Sequence, residues 1–226
     1  ILIPSSVTLI GHDNHAPAFR GCDSLTDIEV ETSNAQYSSE DGVLFSKVGT
    51  TLIKFPGGKS GHYTIPDSVT SIEQAAFAYA SKMTSVTIPN SVTSIGQYAF
   101  WAAKGLTSVT IPESITSLEP RVFYDSNIES IVIPDSITSI EAGAFQNSAL
   151  ESVIIPNSVT SINGQTFGWS KLKSVTIPES VTYIGNHAFT STNLTTVSIP
   201  NSVTSIGEGA FTGTKLTEVT ILNPNA

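Results

Sequence analysis

The dipeptide Ile-Pro returns at Pro4, Pro66, Pro89, Pro112, Pro134, Pro156, Pro178 and Pro200, and from Pro66 onward the intervals are 23, 23, 22, 22, 22 and 22 residues. Eleven positions after each proline from Pro66 onward stands a Phe: Phe77, Phe100, Phe123, Phe145, Phe167, Phe189 and Phe211. The repeating unit reads L-T-S-V-T-I-P-x-S-V-T-S-I-G-x-x-A-F, followed by four or five variable residues. A fixed short period restricts the fold more than any other property of this chain. Each unit must be one small supersecondary element that cannot bury its apolar side alone and therefore stacks on its neighbours.

The unit from Leu106 to Phe123 shows how. Leu106, Val109 and Ile111 are apolar and Thr107, Ser108 and Thr110 polar, so V-T-I alternates with period two and predicts a short strand with one buried face. Pro112 has no N–H to offer a ladder and ends it. Glu113 and Ser114 suit a turn, Ile115 and Leu118 point back inward, and Val122 and Phe123 close the coil. The closing stretch is too short for a regular α-helix and is expected as a turn or a 3₁₀ segment. A period of 22–23 residues falls in the leucine-rich-repeat range. The predicted fold is a β-rich leucine-rich-repeat solenoid of about eight units, with one short strand plus a turn or 3₁₀ segment per repeat.

The bulk composition narrows the function. Of 226 residues 39% are hydrophobic, enough for a continuous core, and only 13% are charged, because Ser and Thr fill most solvent positions. The net charge of −9 opposes binding to phosphate backbones, so nucleic acid is not expected as a partner. Anionic membrane surfaces are disfavoured for the same reason, and no apolar run reaches the length of a membrane-spanning helix. Cys22 is the single cysteine, which excludes an intrachain disulfide. The chain opens at Ile1-Leu2-Ile3-Pro4, the end of a repeat, and reads as a segment of a longer protein. Residues 1–226 are expected to form one solenoid domain, with a first repeat and extended turn over 1–30, an irregular hairpin element over 31–63 and regular repeats over 64–226.

The repeat pattern resembles the BspA-like class of leucine-rich repeats. The first unit carries the resemblance most fully, since Ala18-Phe19-Arg20-Gly21-Cys22-Asp23-Ser24-Leu25 is similar to that class's A-F-x-G-C-x-S-L. Later units lack the Cys and are one or two residues tighter, as at Phe189-Thr190-Ser191-Thr192-Asn193-Leu194. The resemblance implies an exported or surface protein of a mucosal bacterium or protist, hence an extracellular or cell-surface location. It also implies adhesion through a protein or glycoprotein partner, such as host matrix or another cell surface, without a cofactor.

Departures from the repeat mark places for specific function. Gly11-His12-Asp13-Asn14-His15-Ala16-Pro17 lengthens the first turn by four residues; it offers two imidazoles and a carboxylate, but the spacing matches no strong metal motif and a polar loop is the preferred reading. Two apolar runs, Tyr37 to Phe45 and Thr50 to Pro56, bracket Lys47-Val48-Gly49 and predict an inserted β-hairpin, for which BspA-like proteins carry a similar Y-x-S-x-D-G-V-L segment. Gly57-Gly58-Lys59-Ser60-Gly61 echoes a phosphate loop but lacks its spacing and is expected as a flexible loop.

Two faces repeat along the array. Thr107, Ser108 and Thr110 typify a strand face rich in Ser and Thr, to which Glu129, Glu151 and Glu218 add negative charge. On the turn side Trp101 and Tyr124 follow the core Phe at the same position of consecutive repeats, with Trp169 displaced by one. These aromatics are candidate interaction residues, with packing over the core edge as the alternative. His12, His15, His62 and His187 are scattered, and no nucleophile with its base breaks the repeat, so an enzyme is not expected. The leading reading is a surface binding or adhesion module. A structural spacer or filament without its own ligand is the alternative, and ice or surface binding through the Thr and Ser rows a weaker one, because Glu129, Val132 and Ile154 interrupt them.

Overall fold

The computed structural model describes residues 1–11 and 18–221, and the segment from His12 to Pro17, with its candidate metal-binding side chains, lies outside the described residues. The chain winds as a solenoid, and the described residues contain no helix, hence none long and apolar enough to cross a membrane. Each V-T-I motif is a strand, as at Ser108–Thr110, Ser130–Val132, Ser152–Ile154 and Ser174–Thr176. Neighbours pair in parallel with a shift of one repeat, Val109 opposite Ile131 and Val153 opposite Val175. A second, two-residue strand follows the Pro turn in each coil from Pro66 onward, at Ser94–Ile95, Ser117–Leu118 and Ser139–Ile140 among others, and also pairs coil to coil. That second row was not expected. Its S-I dyad is too short to show a period, and it becomes a strand only because the next coil supplies the ladder.

The closing stretch is a turn, the first of the two expected forms, and not 3₁₀. At the residues two before and two after the core Phe, φ is positive: Tyr98 and Ala102, Arg121 and Asp125, Gln165 and Trp169, His187 and Ser191, with Gly143, Gly209 and Gly213 in the same columns. The reversal turns alternate N–H groups toward the next coil. Phe100 donates to Val122 (2.8 Å), Phe123 to Ala144 (2.9 Å) and Phe145 to Thr166 (2.8 Å), while the residues between bond within their own turn. Left-handed backbone costs a non-glycine residue about 1–2 kcal/mol, here offset by hydrogen bonds that a 3₁₀ turn would not direct to its neighbour.

The core is a set of side-chain ladders. The Phe rings from Phe77 to Phe211 stack with centroids 5.0–5.6 Å apart and planes within 14°. Ser and Thr of the consensus also bond between coils: Ser136 Oγ donates to the Ile115 carbonyl at 2.8 Å and Ser180 Oγ to that of Val159 at 2.6 Å, and Thr138 and Thr204 donate to Thr116 and Thr182 at 3.2 Å. The serine two residues past the Pro and the threonine two beyond it thus help hold the stack in these coils.

The irregular element has a larger sheet than one hairpin. Tyr37–Glu40 and Val43–Ser46 pair antiparallel across Asp41 and Gly42, both at positive φ as a tight hairpin turn requires. Val43–Ser46 pairs antiparallel with Thr51–Lys54 in turn, and Thr51–Lys54 runs parallel to Ser71–Ile72, so the meander leads into the second strand row. Asn34, fully buried, organises its start: Nδ2 donates to the carbonyls of Pro4 and Val7, and Oδ1 accepts from the backbone of Gln36 and Tyr37. A small separate core of Ile3, Ile10, Ile28, Tyr37, Leu44 and Ile53 lies under it. The expected flexible loop at Gly57-Gly58 is instead buried and packed. The Gly58 N–H donates to Leu25, and a Cβ there would come within 2.7 Å of the Ser24 backbone, so the close crossing of two chain segments requires glycine.

Candidate functional site

The turn face gathers aromatics from successive coils. Trp101 lies half-buried with its ring 4.9 Å from Tyr79, 5.5 Å from Tyr98 and 6.3 Å from Tyr124. The Arg20 guanidinium sits 4.8 Å from the centre of Trp101 and 5.9 Å from that of Tyr79, whose hydroxyl accepts its Nε–H at 3.1 Å. Arg121 donates to the Tyr98 hydroxyl at 2.6 Å with its guanidinium 5.7 Å from that ring. Each such cation–ring contact contributes about 0.5–1 kcal/mol at a partly exposed site. Two of the three expected aromatics, Trp101 and Tyr124, therefore meet. Trp169 is 43% exposed and joins no ring contact among the described residues. Arg20, Tyr79, Tyr98 and Arg121 were missed from sequence. Tyr79 and Tyr98 lie two residues from a core Phe, in the columns of positive φ, and that offset was the available signal.

The cluster presents flat apolar rings edged by guanidinium and hydroxyl groups. That chemistry suits partner side chains or sugar rings, and it lacks a nucleophile paired with a base. A close Ser–His contact exists elsewhere: His62 Nδ1 lies 2.7 Å from Ser85 Oγ on the exposed strand face, with Nε2 3.1 Å from Thr64 Oγ1. Its other ring nitrogen faces a hydroxyl rather than a carboxylate, so no acid orients the imidazole as a catalytic triad would. Among the described residues no three of His, Cys, Asp and Glu gather as a metal site would need.

On the strand face Thr107, Ser108 and Thr110 are exposed. Glu151 is ion-paired to Lys173 at 2.8 Å, and that hydrogen bond, with the charge of Lys173, holds its carboxyl below the usual carboxylate range. Two ionisable groups near the meander are shifted by burial. Lys54 donates to the carbonyls of Ala75 (3.1 Å) and Ala78 (2.9 Å), yet burial lowers its pKa to about 8. Tyr63, tilted against Phe55 at 5.0 Å, is pushed up by burial and further by the charges of Glu40 and Asp41.

Comparison with known proteins agrees with this geometry. The sequence pattern of the BspA type leucine rich repeat region matches in six copies, over residues 1–121, 55–167 and 116–225. No curated protein matches the chain. A leucine-rich repeat protein from Eubacterium ventriosum is similar in structure with TM-score 0.69 and 28% identity, over 96% of this chain and 59% of that one. A leucine rich cell surface protein from Faecalibacterium prausnitzii has TM-score 0.69 and 31% identity, over 84% of this chain and 56% of that one. The pneumococcal vaccine antigen PcpA shares the fold, with TM-score 0.67 and 21% identity over 98% of this chain and 55% of that one. The chain thus spans less than two thirds of the length of these relatives. Its repeats place it plainly: the chain belongs to the BspA-type leucine-rich-repeat family.

Proposed function

We propose that this chain is a non-catalytic binding module that takes a protein or glycoprotein partner at a cell surface and serves in adhesion. The observation that carries the reading is the cluster of Arg20, Tyr79, Tyr98, Trp101 and Tyr124, assembled from separate coils on one side of a rigid array. Tyr, Trp and Arg are the residue types that dominate interface energetics. A surface location is supported by the description of the Faecalibacterium prausnitzii relative as a cell surface protein. Trp169 and the Thr107, Ser108 and Thr110 row are secondary contact candidates.

The test is attachment of the isolated chain to immobilised matrix proteins and to cells. The reading expects saturable attachment that falls at least tenfold in the Trp101→Ala/Tyr124→Ala double variant. Attachment to none of these surfaces would sink it, and attachment that both substitutions leave intact would move the site elsewhere. The coil-to-coil hydrogen bonds of Ser136, Thr138, Ser180 and Thr204 favour a second reading, a spacer whose hydroxyl rows serve only its own stacking. A spacer would attach to nothing.

A further inference from the structure

The position two residues before the Pro is Thr or Ser in most coils, at Thr87, Thr110, Thr176 and Ser198, but Val132 and Ile154 occupy it in two consecutive ones. Both point to solvent, 76% and 73% exposed, so neither contributes much to the core. Each stands in register with a threonine on its outer side, Thr110 beside Val132 and Thr176 beside Ile154. The fold therefore accepts a hydroxyl here, and the aliphatic pair is not required for stacking. An open groove of about 500 Å³ is lined by this pair together with Ser130, Ser152 and Ser174.

Charge says what the groove accepts. Asp135 lines the groove, three residues after Val132, and Glu129 and Glu151 stand three residues before the pair, just ahead of the strands that carry it. Lys173 neutralises Glu151, whereas Glu129 and Asp135 have no ion pair among the described residues. The whole chain carries −9. An anionic partner would meet repulsion here, whereas a cationic one would be attracted to the unpaired carboxylates.

We infer that the groove over Val132 and Ile154 is a docking site for a cationic protein segment that presents one large apolar side chain between Lys or Arg residues. The apolar side chain lies on the aliphatic pair and the flanking cations reach Glu129 and Asp135. The inference rests on the binding-module reading and gives it a partner chemistry and a second contact surface, on the strand face. Apolar contact supplies affinity, while the unpaired carboxylates select the partner and speed its approach.

The probe is a labelled peptide, Gly-Lys-Lys-Phe-Lys-Lys-Gly, titrated into the full chain while the methyl resonances of Val132 and Ile154 are followed. Two controls replace Phe by Ser or every Lys by Glu. Saturable shifts centred on those methyls are expected, with affinity at least tenfold lower for each control peptide. Val132→Thr/Ile154→Thr, which installs the residue of the neighbouring coils, is expected to lose tenfold or more, and Glu129→Gln/Asp135→Asn about fivefold with a flattened salt dependence. Equal binding by the threonine variant, shifts centred elsewhere, or equal binding of the Glu peptide each overturns the groove. The attachment assay separates the two ideas: a failed peptide titration beside intact attachment removes the groove alone, and methyl shifts without any attachment remove only the adhesion role.

Discussion

Stacking each coil on two neighbours makes the energetic value of a core Phe depend on its place in the array. Phe145 is fully buried between Phe123 at 5.4 Å and Phe167 at 5.6 Å, whereas Phe211 is half-buried and stacks on Phe189 at 5.2 Å. Full burial of a Phe side chain is worth about 1.5–3 kcal/mol. Each ring pair adds about 0.5–1.5 kcal/mol, and truncation leaves a cavity besides. Phe145→Ala should therefore cost about 4 kcal/mol and Phe211→Ala about 1–2 kcal/mol. Urea unfolding reads both. Trp101 and Trp169 lie on opposite sides of the Phe145 coil, so Trp169→Phe and Trp101→Phe backgrounds report the two halves separately. In the parent chain the two probes should share one midpoint. In Phe145→Ala the interface between the halves is weakened, and the midpoints should separate. Equal losses for Phe145→Ala and Phe211→Ala, or coincident midpoints in Phe145→Ala, would refute the nearest-neighbour account of stability.

Three further outcomes are expected. Ser136→Ala removes a 2.8 Å bond to the Ile115 carbonyl and should cost about 1 kcal/mol, while Ser91→Ala, at the same repeat position but with a buried hydroxyl lacking a partner, should be neutral or slightly stabilising; thermal melts of the pair decide it. Lys54 has a pKa lowered to about 8 in the fold against 10.5 in the unfolded chain, so above pH 8 the unfolded state binds the extra proton and stability rises with pH. The gain should reach about 2 kcal/mol between pH 7.5 and 9.5, below the range in which Tyr63 works in the opposite direction, and Lys54→Met should flatten it in urea titrations. Gln165→Gly, at φ 60°, should be neutral to stabilising by about 1 kcal/mol, whereas Ala144→Gly, in the ordinary region, should cost about 1 kcal/mol or more; a loss at Gln165 equal to that at Ala144 would contradict the left-handed column.

Most of the architecture was legible because the repeat states the same fact many times. Pro112 ending a strand is a weak signal alone, but with the same Pro in each coil it sets both period and register. What stayed hidden depends on contact between coils. The two-residue strand at Ser117–Leu118 has no pattern of its own, and the reversed backbone at Tyr98 and Arg121 involves residues with no preference for it. The Asp41-Gly42 turn was written in the sequence and overlooked beside Lys47-Val48-Gly49, which is why one hairpin was expected where three strands pair antiparallel. Gly57 and Gly58 suggested looseness for the opposite of their actual reason, which is the space two crossing chain segments leave.

The same distinction governs the candidate sites. Trp101 and Tyr124 stood out because the repeat asks for no aromatic there, but among their partners Arg20 stands 59 positions before Tyr79 and becomes its neighbour only when coils stack. The threonines past the Pro, conversely, serve the stack: Thr138 and Thr204 donate to the preceding coil and have less to offer a ligand, whereas Thr107, Ser108 and Thr110 of the strand face stay exposed. A serine or threonine past the Pro is thus explained by the neighbouring coil, whereas an exposed aliphatic residue in the strand-face row needs another cause. Val132 and Ile154 break it in consecutive coils and remain in solvent, at some cost in exposed apolar surface and with no return in packing. In an array built by repetition, specificity must lie where repetition fails without loss of the stack, and on the strand face that condition is met by the Val132–Ile154 strip.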